Sequence, residues 1–419
     1  MRLERYSLGI GDRFGRQGEA QLTAVARAGE SGIRVTPVWN KSHREHTIIG
    51  TQPADVRREA DCAVAALGWT GPYYVDADHV SAANVAPFLD CCDFFTIDVA
   101  DFTKQTGAPE EIRRFADRHG RFVGALSVPG IAREIRVTNE DLRRIAGRFL
   151  PAVREAGRIY RRIESARGRG NFVTEVSMDE TDEPQGPAEL FFILAGLADE
   201  GLPVQTVAPK FTGRFNKGVD YAGDLEAFGR EFREDLAVIA FAVSEFGLPD
   251  NLKLSVHSGS DKFSIYGSIR EAISASGAGL HLKTAGTTWL EELIGLALGG
   301  GAGLKTVQDI YTGARARMDA LCAPYAAVIE IDPARLPGAE EVSRWTGEAF
   351  AAALRHDAAC PAYNPDFRQL LHVAYRVAAE MGGTYRAALD AFRDPIGEQV
   401  IANLLDRHIA RIFPRSAGA

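Results

Sequence analysis

Short apolar runs alternate with amphipathic segments along the first three quarters of the chain. Segments such as Glu19–Ala28, Asp55–Leu67, Leu190–Glu200 and Leu225–Glu245 have the length and periodicity of crossover helices. Repeated strand–helix units require parallel strands. Eight such units favour a closed (β/α)8 TIM-type barrel over an open doubly wound sheet. The predicted strands are Tyr6–Gly11, Arg34–Trp39, Tyr73–Asp78, Phe94–Val99, Phe172–Ser177, Val204–Lys210, Lys253–His257 and Leu280–Thr284.

Two regions depart from this alternation. Residues 103–170 are mostly helical in pattern, with one or two helices over Asn139–Glu164 and a small strand at Arg121–Leu126. We interpret this region as an insertion after the fourth strand. Residues 304–419 are also mainly helical, and we expect them to cap the barrel or to mediate assembly. The sequence therefore predicts a catalytic barrel over residues 1–303 and a helical C-terminal extension over residues 304–419.

Composition and charge limit the classes of partner. The 419 residues include 48 Lys and Arg against 56 Asp and Glu, a formal net charge of -8, which disfavours a broad nucleic-acid interface. No apolar stretch approaches the roughly 20 residues of a membrane span. The five cysteines form no CxxC pair, and no targeting segment is visible at the N-terminus. We expect a cytoplasmic protein that acts on a small molecule, and a homo-oligomer stays open.

Ionisable residues gather where the predicted strands end. Barrel enzymes carry their chemistry at the carboxyl ends of the strands, and burying such groups without a function costs several kcal/mol. Strand alternation places His281 on the same face as Lys283, and Asp76 on the same face as Asp78. The direction of His79 stays open because its strand is ending. The strand-end groups are Asp76–His79, Asp98, Glu175–Glu180, Lys210, His257 and His281–Thr284.

Three histidines at separate strand ends predict a metal site. Imidazoles of His79, His257 and His281 that converge on one point would bind a divalent transition metal and leave positions open for substrate. The alternative is that each histidine is only hydrogen-bonded in the core. Zn, Mn, Ni, Co and Fe all suit imidazole-rich ligation with an adjacent carboxylate.

Carboxylates beside these histidines are candidates for acid–base chemistry. Asp78 and Glu175 could remove and return protons on opposite sides of the barrel mouth. Their alternative roles are metal ligation or orientation of a ligating histidine. Asp98 is a candidate third ligand, a partner of a ligand, or a substrate-binding residue. For Asp179 and Glu180 we prefer a simpler role, as caps of the following helix.

Cationic residues in the strand-end loops are candidates for substrate binding. Lys210 and Lys283 could form a Schiff base, but a metal would make that redundant, so we assign them a role as cations. The loops that hold the remaining candidates could instead be ordinary turns. Those candidates are Lys41, Arg44, Arg214 and Lys262.

Motifs for nucleotide cofactors are missing from the sequence. Gly299–Thr306 lacks the Gly-Lys pair of a P-loop, and Gly9-x-Gly11 lacks the third glycine of a dinucleotide fingerprint. No Gly-x-Ser-x-Gly elbow is present either. A nicotinamide cofactor and serine-hydrolase chemistry are therefore unsupported.

Six long motifs resemble the tagaturonate epimerase family. The similarity runs from Tyr6 to Trp289 and continues more loosely through the helical tail. The motifs are Tyr6–Phe14, Trp39–Gly50, Val75–His79, Ala208–Phe215, Leu254–Phe263 and His281–Trp289.

The resemblance implies a metal-dependent epimerase that interconverts D-tagaturonate and D-fructuronate. The inverted carbon lies β to the ketone and its hydrogen is not acidic, so we hypothesise retro-aldol cleavage and re-formation of a carbon–carbon bond as the chemistry. The resemblance also implies His79, His257 and His281 as metal ligands, Asp78 as base and Glu175 as acid. Two rival functions stay open. One is a metal-dependent aldolase acting on a keto-sugar acid, and the other is a non-catalytic sugar-acid binding protein.

Overall fold

A closed barrel of eight parallel strands forms the centre of the computed structural model. The structure describes residues 1–284 and 286–415. Ala285, inside the motif His281–Trp289, and residues 416–419 of the extension lie outside the described residues. Around the barrel the strands follow the order β1-β10-β9-β8-β7-β4-β3-β2, so the predicted (β/α)8 TIM-type fold is confirmed.

Ten strands are present in the described residues, eight in the barrel and two in a separate hairpin. They are β1 Tyr6–Gly11, β2 Thr36–Ser42, β3 Tyr74–Val80, β4 Phe94–Asp98, β5 Gly124–Leu126, β6 Ile135–Val137, β7 Val173–Ser177, β8 Thr206–Ala208, β9 Lys253–His257 and β10 Leu280–Lys283.

The helices surround the barrel and fill the C-terminal extension. Those before β10 are α1 Gly18–Glu30, α2 His43–Ile49, α3 Pro53–Leu67, α4 Pro109–His119, α5 Asn139–Arg167, α6 Pro187–Asp199, α7 Leu225–Phe246 and α8 Phe263–Ser276. Those after it are α9 Thr287–Leu298, α10 Gly301–Ala316, α11 Met318–Cys322, α12 Ala339–Val342, α13 Gly347–Leu354, α14 Pro365–Val373, α15 Tyr375–Glu380, α16 Gly383–Ala391, α17 Arg393–Ala402 and α18 Ala410–Ile412, with a π-helical stretch over Asn403–Ile409. No helix in the described parts of the chain is long and apolar enough to cross a membrane.

The barrel interior changes from apolar to polar along the strands. A small apolar cluster of Leu3, Val38, Tyr74, Phe94 and Val173 fills one end. Further along the same inward faces the residues are ionisable, because strand side chains alternate and every second position points inward. The barrel therefore presents a polar end on an apolar base.

Of the predicted strands, β2 and β8 differ most from the structure at their ends. Strand β8 ends at Ala208 because Pro209 follows, and proline has no backbone N–H to donate to a sheet. Strand β2 continues to Ser42, whose hydroxyl accepts the backbone N–H of Glu45 and so caps α2. Chain-breaking and capping residues, rather than the apolar pattern, thus set these boundaries.

The segment between β4 and β7 holds helices and a hairpin. Helix α4 is followed by the antiparallel pair β5–β6 and then by the 29-residue α5. A capping box between Thr138 and Asp141 begins α5, and its apolar face packs on the barrel side. The helical insertion is confirmed, and the expected small strand is the shorter β5.

The C-terminal extension shares the hydrophobic core of the barrel. Helix α9 is buried along most of its length because α13 and α17 of the extension pack against it. The indole N–H of Trp289 donates to the carbonyl of Leu371 at 2.8 Å. A fully buried ion pair joins Arg368 in α14 to Asp261 in the loop after β9, with 2.8 Å between N and O atoms. The extension is therefore docked directly onto the polar end of the barrel.

Candidate functional site

Two histidines and one aspartate meet above the barrel. His79 lies in β3, His257 ends β9, and Asp179 follows β7 by two residues. The Asp179 carboxylate lies between the two rings, 3.5 Å from His79 Nε2 and 3.2 Å from His257 Nδ1. One ligand atom from each of the three lies within 4.8 Å of the others. Ligand atoms at this spacing can coordinate a single divalent ion.

A backbone irregularity brings His79 into this group. The pairing of β3 with β4 shifts register between Ala77 and Val80, as in a β-bulge. His79 has φ 53°, the left-handed conformation that a non-glycine residue adopts only at a cost. As a result Asp78 and His79, although consecutive, both line the same cavity. Simple strand alternation would have placed them on opposite faces.

The donor set fits a divalent metal. Apart from the Asp179 carboxylate, neither His79 Nε2 nor His257 Nδ1 has a polar partner among the described residues, although both are buried. The opposite nitrogens are each held by a carboxylate, His79 Nδ1 by Asp78 at 2.8 Å and His257 Nε2 by Glu175 at 2.9 Å. Carboxylates behind imidazoles commonly orient histidines that bind metal.

The electrostatics of the group also favour a cation. Burial disfavours the charged imidazole, yet Asp179 and Glu175 raise the pKa of His257 to about 9. Asp78 and Asp179 likewise overcome burial and hold the pKa of His79 well above its usual value. Positive charge, whether on protons or on a metal, is stabilised at this position.

His281 does not join the other two histidines. It pairs in register with Ser7 and Ser255, one inward layer below Lys283, and its Nδ1 lies 2.8 Å from the Ser7 hydroxyl. Burial lowers its pKa to about 3, so the ring is neutral. The hydrogen-bonded core position left open as the alternative describes His281, and the third donor of the group is Asp179.

Asp179 was expected to cap a helix, and the structure corrects this. Helix α6 begins only at Pro187, with Gly186 as its N-cap, so Asp179 belongs to the loop after β7. Its side chain turns back over the barrel and accepts a hydrogen bond from Ser177. The signal in the sequence was its position just beyond a buried strand, within the strand-end group Glu175–Glu180.

Lys283 connects the carboxylates beneath the cavity. Its ammonium lies 2.8 Å from Asp76, 2.6 Å from Asp78 and 3.3 Å from Glu175, and it donates to the Thr96 hydroxyl at 2.7 Å. Despite burial, these carboxylates hold the pKa of Lys283 well above its usual value. A permanently protonated amine cannot attack a carbonyl, so the geometry favours the cationic role over a Schiff base.

Glu175 lies below the cavity rather than in its wall. Its side chain is fully buried between His257, Lys283 and Thr96. Burial opposes ionisation, but Lys283 and His257 keep the pKa of Glu175 well below its usual value. An ionised, enclosed carboxylate is suited to orienting His257 rather than to exchanging protons with a substrate.

Two adjoining cavities of about 300 Å³ each lie above this group. Of the predicted substrate-binding residues, Asp98, Arg44 and Lys283 line the first cavity, while Lys210, Arg214 and again Arg44 line the second. Lys210 donates to the Thr181 carbonyl, and Arg214 pairs with Glu330 at 2.8 Å.

The structure does not bring Lys41 and Lys262 to these cavities. Lys41 follows the inward-facing Asn40 on β2, so it points outward and lies 4.0 Å from Glu59. The Lys262 ammonium is buried beneath its own loop, where it donates to the Ser260 hydroxyl at 3.0 Å.

The sequence analysis missed several residues that line the first cavity, among them two cations and two side chains of the C-terminal extension. Arg13 follows β1, Lys217 belongs to the loop after β8, and Tyr325 and His372 come from the C-terminal extension. No local motif marks the last two, because their place at the cavity depends on how the extension packs. The extension therefore completes the wall of the site.

Comparisons with known proteins agree with one another. A family model described as tagaturonate epimerase matches residues 1–393. A curated tagaturonate/fructuronate epimerase of Thermotoga maritima is 30% identical over 299 residues, and the match covers 68% of this chain but 58% of that protein. The native crystal structure of the fructuronate-tagaturonate epimerase of Cohnella laeviribosi is 24% identical with a TM-score of 0.71, covering 97% of this chain and 82% of that chain. The structure of the same enzyme with two glycerols is 22% identical with a TM-score of 0.79, and the match covers 98% of this chain and 81% of that chain.

Proposed function

Because the chain belongs to the tagaturonate epimerase family, we propose that it is a metal-dependent enzyme that interconverts D-tagaturonate and D-fructuronate. The observation that carries this proposal is the meeting of His79, Asp179 and His257 in a cavity that cationic side chains also line. D-tagaturonate and D-fructuronate each have a ketone near one end and a carboxylate at the other. Such a molecule matches a site that combines metal donors with cations.

His79 Nε2, His257 Nδ1 and a carboxylate oxygen of Asp179 are the atoms that would hold the ion. Zn, Mn, Ni, Co and Fe all accept this combination of donors. A bound divalent cation would polarise the ketone and the neighbouring hydroxyl oxygens of the substrate. The unpartnered nitrogens and the carboxylates behind the two rings support this assignment.

The reaction inverts a carbon β to the ketone. The hydrogen on that carbon is not acidic, so simple proton transfer cannot change its configuration. Asp78 accepts the proton of the β-hydroxyl, and the bond between the α and β carbons breaks. Its electron pair enters the ketone half as an enediolate, and the β carbon becomes an aldehyde. The aldehyde turns, the bond re-forms on its other face, and Asp78 returns the proton.

Neighbouring residues keep Asp78 ionised and fix its position. Burial would raise the pKa of Asp78, but Lys283 and His79 hold it well below its usual range, so the carboxylate is ionised at neutral pH. Its Oδ1 is held by both neighbours, which fixes the side chain at the cavity wall. Glu175 acts through His257 and Lys283, so we assign it a positioning role in place of the acid role suggested by the resemblance.

Cationic side chains would retain both halves of the cleaved substrate. Arg44 lies at the boundary of the two cavities, with its guanidinium carbon 4.9 Å from the centre of the Tyr325 ring. A carboxylate held among the cations that line these cavities keeps the aldehyde half beside the enediolate, which makes re-formation of the bond faster than escape. This retention is what separates an epimerase from an aldolase using the same bond cleavage.

The proposal is tested by product analysis in D2O with the wild type, Asp78→Asn and the exposed control Asp101→Asn. NMR should show interconversion of the two sugar acids by the wild type and by Asp101→Asn, with no deuterium at the inverted carbon. Asp78→Asn should lower kcat by about 10²- to 10⁴-fold, the usual contribution of a general base. Full activity of Asp78→Asn would refute its role. Released aldehyde would indicate an aldolase, and deuterium at the inverted carbon would exclude the retro-aldol route.

A further inference from the structure

The imidazole of His372 is a buried polar group without a partner at the wall of the first cavity. It lies in α14, its side chain is 2% exposed, and neither ring nitrogen has a hydrogen-bond partner among the described residues. Its backbone is fixed, because the carbonyl accepts an N–H of Arg13 at 3.2 Å. A buried, unpaired polar group costs free energy unless a ligand or water completes its hydrogen bonds.

The loops after β9 and β10 leave space for this ring. A Cβ at Gly286 would lie 2.1 Å from His372 Nε2 and 2.5 Å from the carbonyl oxygen of Gly259, so only glycine allows this approach. A Cβ at Gly218 would lie 3.3 Å from the His372 Cβ. Three strand-end loops thus converge on one side chain of the extension. Such close packing holds the ring at the edge of the cavity.

Lys217 is the second unpaired polar group at this end of the cavity. It lines both cavities, and it makes no ion pair with any residue that the structure describes. Its ammonium lies near Gly259, where an added Cβ would be 3.3 Å from Nζ. By contrast, Arg13 is neutralised by Glu45 at 2.9 Å. Lys217 therefore has its charge available for an anion.

The protonation state of His372 suits this neighbour. Burial, together with the charges of Arg13 and Lys217, holds the pKa of His372 well below its usual value. The ring is therefore neutral and offers one N–H donor and one acceptor. A neutral ring beside an ammonium avoids repulsion and still donates to an anionic oxygen.

We propose that Lys217 and His372 bind the carboxylate end of the sugar acid, with Lys217 supplying the charge and His372 a hydrogen bond from the extension. This inference rests on the proposed function and names the part of the same site that selects acids over neutral sugars. The metal donors come from β3, β9 and the loop after β7, whereas His372 lies over the loops after β9 and β10. The ketone end of the substrate would face the metal donors. Its carboxylate would face Lys217 and His372.

The experiment compares D-fructuronate with D-fructose, which has a hydroxymethyl group in place of the carboxylate. The variants are Lys217→Met, His372→Leu, His372→Gln and the control Lys305→Met, an exposed residue of α10 that pairs with Asp309. Losing a hydrogen bond to a charged group should raise KM for D-fructuronate about tenfold to hundredfold in Lys217→Met, while kcat changes little. If the enzyme acts on D-fructose, the KM for D-fructose should be the same in the variants as in the wild type.

His372→Leu should also raise KM for the acid, and His372→Gln should restore part of the affinity because its amide can still donate. Thermal unfolding of each variant checks that it is folded. Equal losses for acid and neutral sugar, or an unchanged KM in Lys217→Met, would overturn the inference. If the wild type binds D-fructuronate but does not turn it over, the proposed function fails. The inference is then tested by calorimetry, with the Kd of each variant for the acid compared with the wild-type Kd. If the metal-loaded wild type binds no sugar acid, both fail.

Discussion

Asp78 and His79 are consecutive residues, yet both side chains reach one cavity. The bulge in β3 and the left-handed backbone of His79 make this possible. Strand alternation alone could assign Asp78 to the inner face but left His79 undetermined. It also placed His281 on the inner face without giving its depth, and depth separates a core histidine from a ligand. The residue types at the strand ends were therefore predictable. The depth of each side chain in the barrel and the direction in which it points were not.

The strained backbone of His79 leads to a stability prediction. At most strand positions alanine is more stable than glycine, but at φ 53° glycine avoids the clash of a Cβ. His79→Gly should therefore be more stable than His79→Ala by about 1 kcal/mol in free energy of unfolding. Urea unfolding of both variants without metal measures this difference. The same pair of substitutions at Val80 serves as the control and should show the usual order. If His79→Ala is more stable than His79→Gly, the backbone at position 79 is not strained.

At the scale of elements, the strands and crossover helices followed from periodicity, and β1 and β9 match their predicted bounds. Errors occurred where a single residue ended an element, as Pro209 does after β8. The contacts between the loop after β9 and α14 were not predictable, because they join segments far apart in sequence. Asp261 and Arg368 are fully buried there, with His356 and His408 also within 3.4 Å of the carboxylate.

The Asp261–Arg368 pair should make the docking of the extension sensitive to acid. Although burial opposes ionisation, Arg368 holds the pKa of Asp261 well below 3.8 in the folded state. A lowered folded pKa contributes stability above the unfolded pKa and loses it as pH falls towards the folded pKa. Asp261→Asn should cost about 3–5 kcal/mol of unfolding free energy at pH 5, because Arg368 is left buried without its partner.

The difference in free energy of unfolding between wild type and Asp261→Asn should be smaller at pH 3. At that pH the wild type begins to lose the stabilisation that the ionised Asp261 provides. Urea unfolding at both pH values measures it, and Asp101→Asn is the exposed control. A difference that stays constant between pH 5 and pH 3 would show that the Asp261 carboxylate does not titrate in this way.

At the scale of the whole molecule, barrel and extension form one core and one site. The predicted division at residue 303 follows the change from strand–helix units to helices alone, and it remains a prediction. The two parts share the hydrophobic core, and Tyr325 and His372 from the extension line the cavity. Composition and periodicity identified the extension as helical, but its contribution to the site required the tertiary packing. The resemblance to a family of epimerases pointed to residues at the strand ends without showing which segments close the cavity.

Metal-dependent epimerisation is tested most directly by the rate of D-tagaturonate conversion before chelation, after chelation and after re-addition of single divalent cations. Product is followed by NMR, and bound metal is measured alongside it. A metal-dependent epimerase should give D-fructuronate as product, stop converting substrate when the metal is removed, and recover with one or more of Zn, Mn, Ni, Co and Fe. Wild-type conversion that persists in protein shown to hold no metal would contradict it.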